Sequence, residues 1–257
     1  MKTSPLNLLI QTGIGAASSS IEVAGKEAAN ILVDDSLNVY ASIGNFDVTV
    51  FNVGDISLDV IALMNVYFDE SLVIELYDAA NILIYSETFS PADMSGFEFK
   101  GIYMEVPATV EYINKIRVYS LGGDDYTEKY IGYIWAGLLI DFGCIESCQP
   151  QSNSNDSIQV SRTDHPDINE SYLYRELDVT VRKEIEFKSA RAAVEAILTD
   201  GYGKGRPWIL DEDLFDGEMI FAIMDSGKVK YNVKYTAQKI NGSNWITQFT
   251  IGLREVT

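Results

Sequence analysis

Three glycines, Gly201, Gly203 and Gly205, have the spacing of a loop that cradles phosphate. Such a cradle sits between a strand and a helix N-terminus, where backbone amides and the helix dipole face the anion. Here the glycines follow a helical pattern and precede a strand pattern, so they read as a flexible connection. Asp211, Glu212, Asp213 and Asp216 have the oxygen density of a calcium loop, but the alternation that an EF-hand needs slips after Asp213. A turn is the expectation there. Asp34 with Asp35, and Asp124 with Asp125, are further acidic turns; each pair could contribute to a calcium site in a β-sandwich, and these four are the candidate metal residues. His165 has no Gly-x-Ser-x-Gly nucleophile turn to serve. Cys144 and Cys148, with one histidine in the whole chain, fall short of the four ligands of a structural zinc. They read as two thiols at a domain edge, with a local disulfide as the alternative. Trp135 is the candidate ligand-binding residue, as a plate for a sugar ring; inside the apolar string Tyr133-Ile-Trp-Ala the competing expectation is core packing. No constellation amounts to a catalytic site, and no cofactor is called for, so the expectation is a protein that is not an enzyme.

Charge narrows the partners. The chain of 257 residues carries 38 acids against 19 bases, net −19. Nucleic-acid affinity needs Lys and Arg to displace condensed counterions, so direct binding of DNA or RNA is not expected. The imbalance is concentrated: residues 1–148 hold 21 acids and 6 bases, residues 149–257 hold 17 and 13. An acidic surface favours solubility, and it also suits a channel wall or a basic partner. No apolar run reaches the roughly 18 residues of a membrane span, so no membrane insertion is expected. The first ten residues lack the continuous apolar centre of a signal peptide, which points to a protein made and kept in a cytoplasm.

The elements that would position any site are short strands. Asp47 to Phe51 alternates, Leu58 to Met64 runs apolar, and Leu72–Tyr77, Ile82–Tyr85, Phe97–Val106, Ile113–Leu121 and a last run ending at Ile140 follow, with Asp, Asn, Gly and Pro between them. That spacing marks an all-β sandwich. The continuous runs Val60–Val66 and Ile131–Ile140 suggest strands covered on both faces. Residues 146–157, rich in Ser, Asn and Gln, bury too little to offset ordering and read as a polar linker. Beyond it Leu177, Val179 and Val181 alternate with polar residues as a half-buried strand. Ser189 then caps a helix with an apolar face of Ala190, Ala193, Val194, Ile197 and Leu198. Met219–Met224, the alternating Lys228–Tyr235, an Asn241-Gly242 turn and a last strand from Trp245 to Leu253 complete the pattern. The expected fold is mainly β: a jelly-roll sandwich over 1–145, the linker over 146–157, and over 158–257 a small α+β domain with one helix packed on an antiparallel sheet.

The strings Asp47-Val-Thr-Val-Phe-Asn-Val-Gly54, Leu58-Asp-Val-Ile-Ala-Leu-Met-Asn65 and Lys115-Ile-Arg-Val-Tyr119 resemble the strands of discoidin-like, galactose-binding-like jelly rolls. Asn52-Val53-Gly54 stands where Asp-Leu-Gly is usual. Ile131-Gly-Tyr-Ile-Trp-Ala-Gly137 is similar to the closing string of such jelly rolls in virion proteins of tailed bacteriophages, and Leu253-Arg-Glu-Val256 is similar to the end of their second domain. The resemblance implies a structural protein of the phage tail, near the tail tip or baseplate, assembled in the host bacterial cytoplasm. It implies a homo-oligomeric ring built through a distal-tail-like second domain, with other virion tail proteins as partners. The jelly roll would project outward to carry fibres or touch a host-surface glycan. From a different class, the residues also fit a carbohydrate-binding adhesin or binding module, and a capsid decoration protein is a further alternative.

Overall fold

The computed structural model describes residues 1–4, 6–11, 16–19, 23–32, 39–95, 100–121, 127–154, 173–183, 192, 195, 205–210, 218–240 and 243–255. The chain opens with strand β1 (Lys2–Thr3) and a single helical turn, α1 (Leu8–Gln11). Nine strands follow: β2 (Ala16–Ser19), β3 (Tyr40–Ile43), β4 (Asp47–Ile56), β5 (Val60–Tyr67), β6 (Ser71–Tyr77), β7 (Leu83–Phe89), β8 (Gly101–Glu105), β9 (Ile113–Leu121) and β10 (Glu128–Gly137). They make two antiparallel sheets, ordered β3-β10-β5-β8 and β2-β4-β9-β6-β7. With β2 set aside as an added edge, this is the strand order of an eight-stranded jelly roll. The fold class expected of the N-terminal half is therefore the one observed.

Alternation supplies the core between the sheets. Val48 and Val50 of β4, Leu72, Ile74 and Leu76 of β6, and Ile116 and Val118 of β9 point inward, against Ile61 and Leu63 of β5 and Ile134 and Ala136 of β10. The period slips once. Val66 faces this core, but Met64 faces outward, as do Ala62 and Val60. Asn65 between them has φ 49, a left-handed conformation that Asn tolerates better than most residues, and it turns the strand over.

A further sheet, that of the second unit and called the second sheet below, holds seven strands, ordered β11-β1-β14-β15-β16-β13-β12. The members not yet placed are β11 (Ile140–Asp141), β12 (Cys144–Ser154), β13 (Leu173–Lys183), β14 (Arg206–Ile209), β15 (Met219–Ile240) and β16 (Ser243–Glu255). Three expectations change here. The first strand of the chain belongs to this sheet: β1 pairs with β14 and β11, so the second unit borrows residues 1–3 from the N-terminus. The polar linker over 146–157 is, up to Ser154, an edge strand paired with β13 from Cys144↔Arg182 to Ser154↔Leu173, with a register shift between Ile145 and Ser147. An edge strand needs only backbone hydrogen bonds on one side, so a Ser/Asn/Gln tract serves, and Pro150 is tolerated there. The two strands expected over 219–224 and 228–235 are one long strand, β15, with a register shift between Asp225 and Lys230.

The helix expected over 189–200 lies outside the described residues except at Ala192 and Glu195, which are helical and exposed, and neither belongs to the expected apolar face. The packed helix is thus not part of the architecture described. Cys144 and Cys148 both sit on β12, and at about 3.3 Å of rise per residue their Cα atoms are roughly 10 Å apart or more. A disulfide needs about 7 Å or less, so this strand keeps the two apart. Among the described residues no helix is long and apolar enough to cross a membrane.

The two units share a buried layer. The outward residues of the four-stranded sheet, Val60, Ala62, Met64, Tyr133 and Trp135, pack on Ile209, Met219 and Phe221 of the second sheet. Gly101 lets β8 come close, because a Cβ there would strike the Met219 side chain and lie 2.9 Å from the Leu63 carbonyl. Ser95 Oγ bonds both the amide and the carbonyl of Met219, each at 3.1 Å. The N-terminal segment straps the joint. β3 covers the edge of β10 only as far as Ile131, and Asn7 takes over beyond it. Its Nδ2 donates to the Ile134 carbonyl at 2.8 Å and to the Tyr133 hydroxyl at 3.0 Å. Its Oδ1 accepts from the amides of Ala136 and Leu9, both at 3.2 Å. Gly137 leaves room for the strap, since a Cβ would collide with Ser4 Oγ and the Leu6 carbonyl.

Replacing Asn7 by Ala would orphan two buried amides and a carbonyl at once. The expected loss is on the order of 3 kcal/mol in urea unfolding, and Gly137→Ala should cost at least about 1–3 kcal/mol through overpacking against backbone. Wild-type stability in both variants would show that the strap is not structural.

Candidate functional site

The second sheet covers one outer face of the sandwich. The other, that of β2-β4-β9-β6-β7, is open among the described residues, and alternation fills it with a different chemistry. Residues 115, 117 and 119 of β9 face out because Ile116 and Val118 face the core. Register then sets their neighbours: Lys115 opposes Phe51 and Tyr77, Arg117 opposes Thr49 and Glu75, and Tyr119 opposes Asp47 and Val73. Nine side chains tile three strands.

Arg117 organises the tile. Its Nε and Nη2 donate to the two oxygens of Asp47 at 3.0 and 2.7 Å, a bidentate pair, and its Nη1 reaches Glu75 at 3.4 Å. Its guanidinium lies 4.4 Å from the centre of the Tyr119 ring. Glu75 also accepts from the Tyr77 hydroxyl at 2.5 Å and the Tyr119 hydroxyl at 3.1 Å. Lys115 stands 3.7 Å over the Tyr77 ring and donates to Asn81. The hydrogen bond to Glu75 raises the Tyr77 hydroxyl above its ordinary range, with burial adding to it. For Tyr119 burial is the larger cause and Glu75 the second. Asp47 and burial act in opposite directions on Arg117, and the bond to Asp47 prevails, raising it further.

The tile runs into a rim at one end of the sandwich. Asn81, at φ 62, and Tyr112, at φ 60, both adopt left-handed backbone. Tyr112 is 65% exposed, Ile82 60% and Leu83 49%. Leu83 lies beside Tyr77, which lies beside Lys115. A non-glycine residue held at positive φ costs roughly 1–3 kcal/mol and persists where its surroundings enforce it. What the arrangement offers is recognition: ring faces and apolar tips for C–H surfaces, with fixed polar groups beside them. Arg117 occupies the space between Asp47 and Glu75, so these two acids do not face each other across an open cleft, as paired-carboxylate hydrolysis requires.

The residues singled out from sequence lie elsewhere. Trp135 is 5% exposed, packed edge-on to Tyr133 at 6.1 Å inside the layer between the sheets, so no sugar reaches it in this arrangement. Asp34, Asp35, Asp124 and Asp125 lie outside the described residues, as do His165 and the acidic run 211–217. Among the described residues no three His, Cys, Asp or Glu side chains group as a metal site. Sequence reasoning passed over Asp47, Glu75, Tyr77, Lys115, Arg117 and Tyr119. The signal was in Lys115-Ile-Arg-Val-Tyr119, whose odd positions are all large and polar; the partners on β4 and β6 needed the register.

No family model matches the chain, and no curated protein matches it. Solved structures similar to it include a fucose binding module of Streptococcus pneumoniae, at 10% identity and TM-score 0.40, over 51% of this chain and 96% of that one. The lectin domain of lectinolysin complexed with Lewis B antigen has 12% identity and TM-score 0.42, over 51% and 95%. The family 32 carbohydrate-binding module of C. perfringens NanJ in complex with galactose has 12% identity and TM-score 0.40, over 55% and 100%. Similarity at this level transfers neither a ligand nor a site.

The two tyrosines can be told apart by pH. Both are neutral in the fold and resist ionisation, so their contribution to stability is complete below about pH 10 and falls as pH rises through their folded values. Glu75→Gln should lower the Tyr77 titration more than that of Tyr119, and leave Tyr85, which is raised chiefly by burial, in place. Ring-carbon NMR titration reads each; equal shifts at all three would contradict the network.

Proposed function

We propose that the chain is a non-enzymatic carbohydrate-binding protein whose jelly roll meets glycans on its uncovered sheet face and the adjoining rim. One observation carries this reading: the second sheet occludes one outer face, and the face left open holds tyrosine rings fixed by charged partners, ending in exposed Tyr112, Ile82 and Leu83. A sugar presents an apolar C–H face and a fringe of hydroxyls. Rigid rings beside Arg117, Lys115 and Asn81 match both, and little ordering is needed on binding because the side chains already hold one another. A shallow surface of this kind suits weak affinity, on the order of 1 mM per site.

The test is a glycan array with the full chain, followed by calorimetric titration of any ligand found. Tyr77→Ala and Tyr112→Ala should each weaken binding about tenfold, while Tyr67→Ala, on the other sheet, should not. An array without signal, or binding indifferent to both substitutions, would overturn the assignment.

A second reading has its own observation. The seven-stranded sheet ends, among the described strands, in two edge strands, β12 on one side and β11 on the other. Edge strands of one sheet allow head-to-tail pairing between copies, which closes into a ring when the rotation permits. This supports a ring subunit of a phage tail tip, placed in the virion with other tail proteins and with the jelly roll outermost. Cryo-electron microscopy of particles decides it: absence of the chain from tail density would end the reading.

A further inference from the structure

The rim of the open sheet face carries a positive charge that no acid among the described residues pairs with. Lys2, Lys26, Lys129 and Arg117 each meet a carboxylate, that of Glu105, Glu128, Asp69 and Asp47 respectively. Lys115 does not. Register sets it between Phe51 and Tyr77, so its neighbours across β4 and β6 are rings. Its ammonium lies over the Tyr77 ring and donates to Asn81, and it forms no ion pair among the described residues. The acids nearby are engaged otherwise. Glu75 accepts from Tyr77, Tyr119 and Arg117. Asp78, in the turn between β6 and β7, accepts from the Ile82 amide at 2.8 Å. Glu111, exposed at the start of β9, pairs with no base among the described residues.

Asn81 completes the arrangement. An ammonium only donates, so the amide must turn its oxygen to Lys115 and its Nδ2 away from it. Asn81 is exposed, and its Nδ2 has no acceptor among the described residues. The backbone beneath is held at φ 62 by the turn, with the Asn81 amide on the Asp78 carbonyl at 3.0 Å and the Asp78 amide on the Ile82 carbonyl at 3.1 Å. Two donors, one of them charged, thus stand side by side at the rim that exposes Ile82, Leu83 and Tyr112. A sugar hydroxyl would accept from them but leave the ammonium without a counter-charge. A carboxylate or sulfate has an oxygen for each donor and the charge as well. The net charge of −19 opposes anions at long range, but at physiological salt that field is screened beyond about 8 Å, so the groups in contact decide.

We propose that this rim recognises acidic sugars, holding the carboxylate or sulfate between Lys115 Nζ and Asn81 Nδ2 and the sugar ring against the exposed apolar side chains. The proposal rests on the glycan reading and names the class of glycan.

A glycan array that pairs each neutral core with its uronate, sialylated and sulfated forms tests it on the full chain, followed by calorimetry of the best pairs. Acidic members should bind about fivefold more tightly than their neutral cores, and the carboxylated and sulfated arms show which anion is taken. Neutral cores bound as tightly as their acidic forms would overturn the acidic class and leave the glycan reading standing; an array without any signal would end the glycan reading itself. Lys115→Met keeps the apolar stem, and Asn81→Asp sets an acid against the ammonium at nearly constant shape. Each should bring the acidic-to-neutral ratio below about twofold. A ratio unchanged in both would place the anion elsewhere and overturn the assignment. Should either variant lose all binding, a salt series on the native chain decides. From about 0.15 M to about 1 M NaCl the acidic ligand should weaken about threefold and its neutral core less than about 1.5-fold, and parallel curves would overturn the proposal.

Discussion

Strand β10 is buried on both faces, and the architecture follows from satisfying it. Ile131, Ile134 and Ala136 fill the sandwich, while Tyr133 and Trp135 fill the layer against the second sheet. Burying each large side chain is worth about 1.5–3 kcal/mol, so neither face can be left in water cheaply. Its edge is as demanding as its faces. Past Ile131 the neighbouring strand ends, and the exposed amide of Ala136 and carbonyl of Ile134 would lie in an apolar layer. Asn7 supplies one acceptor and one donor at that spot. The N-terminal segment is thus drawn across the sandwich, and β1 then continues into the second sheet, where Met1 is buried beside Phe142 and Trp208.

This constraint decides which surface is free. A jelly roll has two outer faces, and here one is spent on joining the units. The remaining face cannot be apolar without inviting aggregation, so it is built from pairs that are polar yet rigid. Arg117 between Asp47 and Glu75 is half-exposed, where a single ion pair contributes little. Its larger effect is geometric. The bidentate contact with Asp47 fixes the guanidinium plane, the plane orients the Tyr119 ring, and Glu75 holds both tyrosine hydroxyls. A recognition surface gains from such fixed rings even when the pairs add little stability.

The continuous runs Val60–Val66 and Ile131–Ile140 told that something covers both faces of β5 and β10, and the jelly-roll strands stood out by alternation. What covered them was not legible, because Ile209, Met219 and Phe221 lie far along the chain and nothing local marks them as a partner layer. The same gap displaced the site. Trp135 is the most conspicuous aromatic, but conspicuousness in an apolar strand is a sign of burial, whereas Tyr77 and Tyr119 gain meaning only beside Glu75 and Arg117. The tract 146–154 misleads for a related reason: composition measures what a segment can bury, and an edge strand is held by backbone pairing, to which side-chain composition is nearly blind.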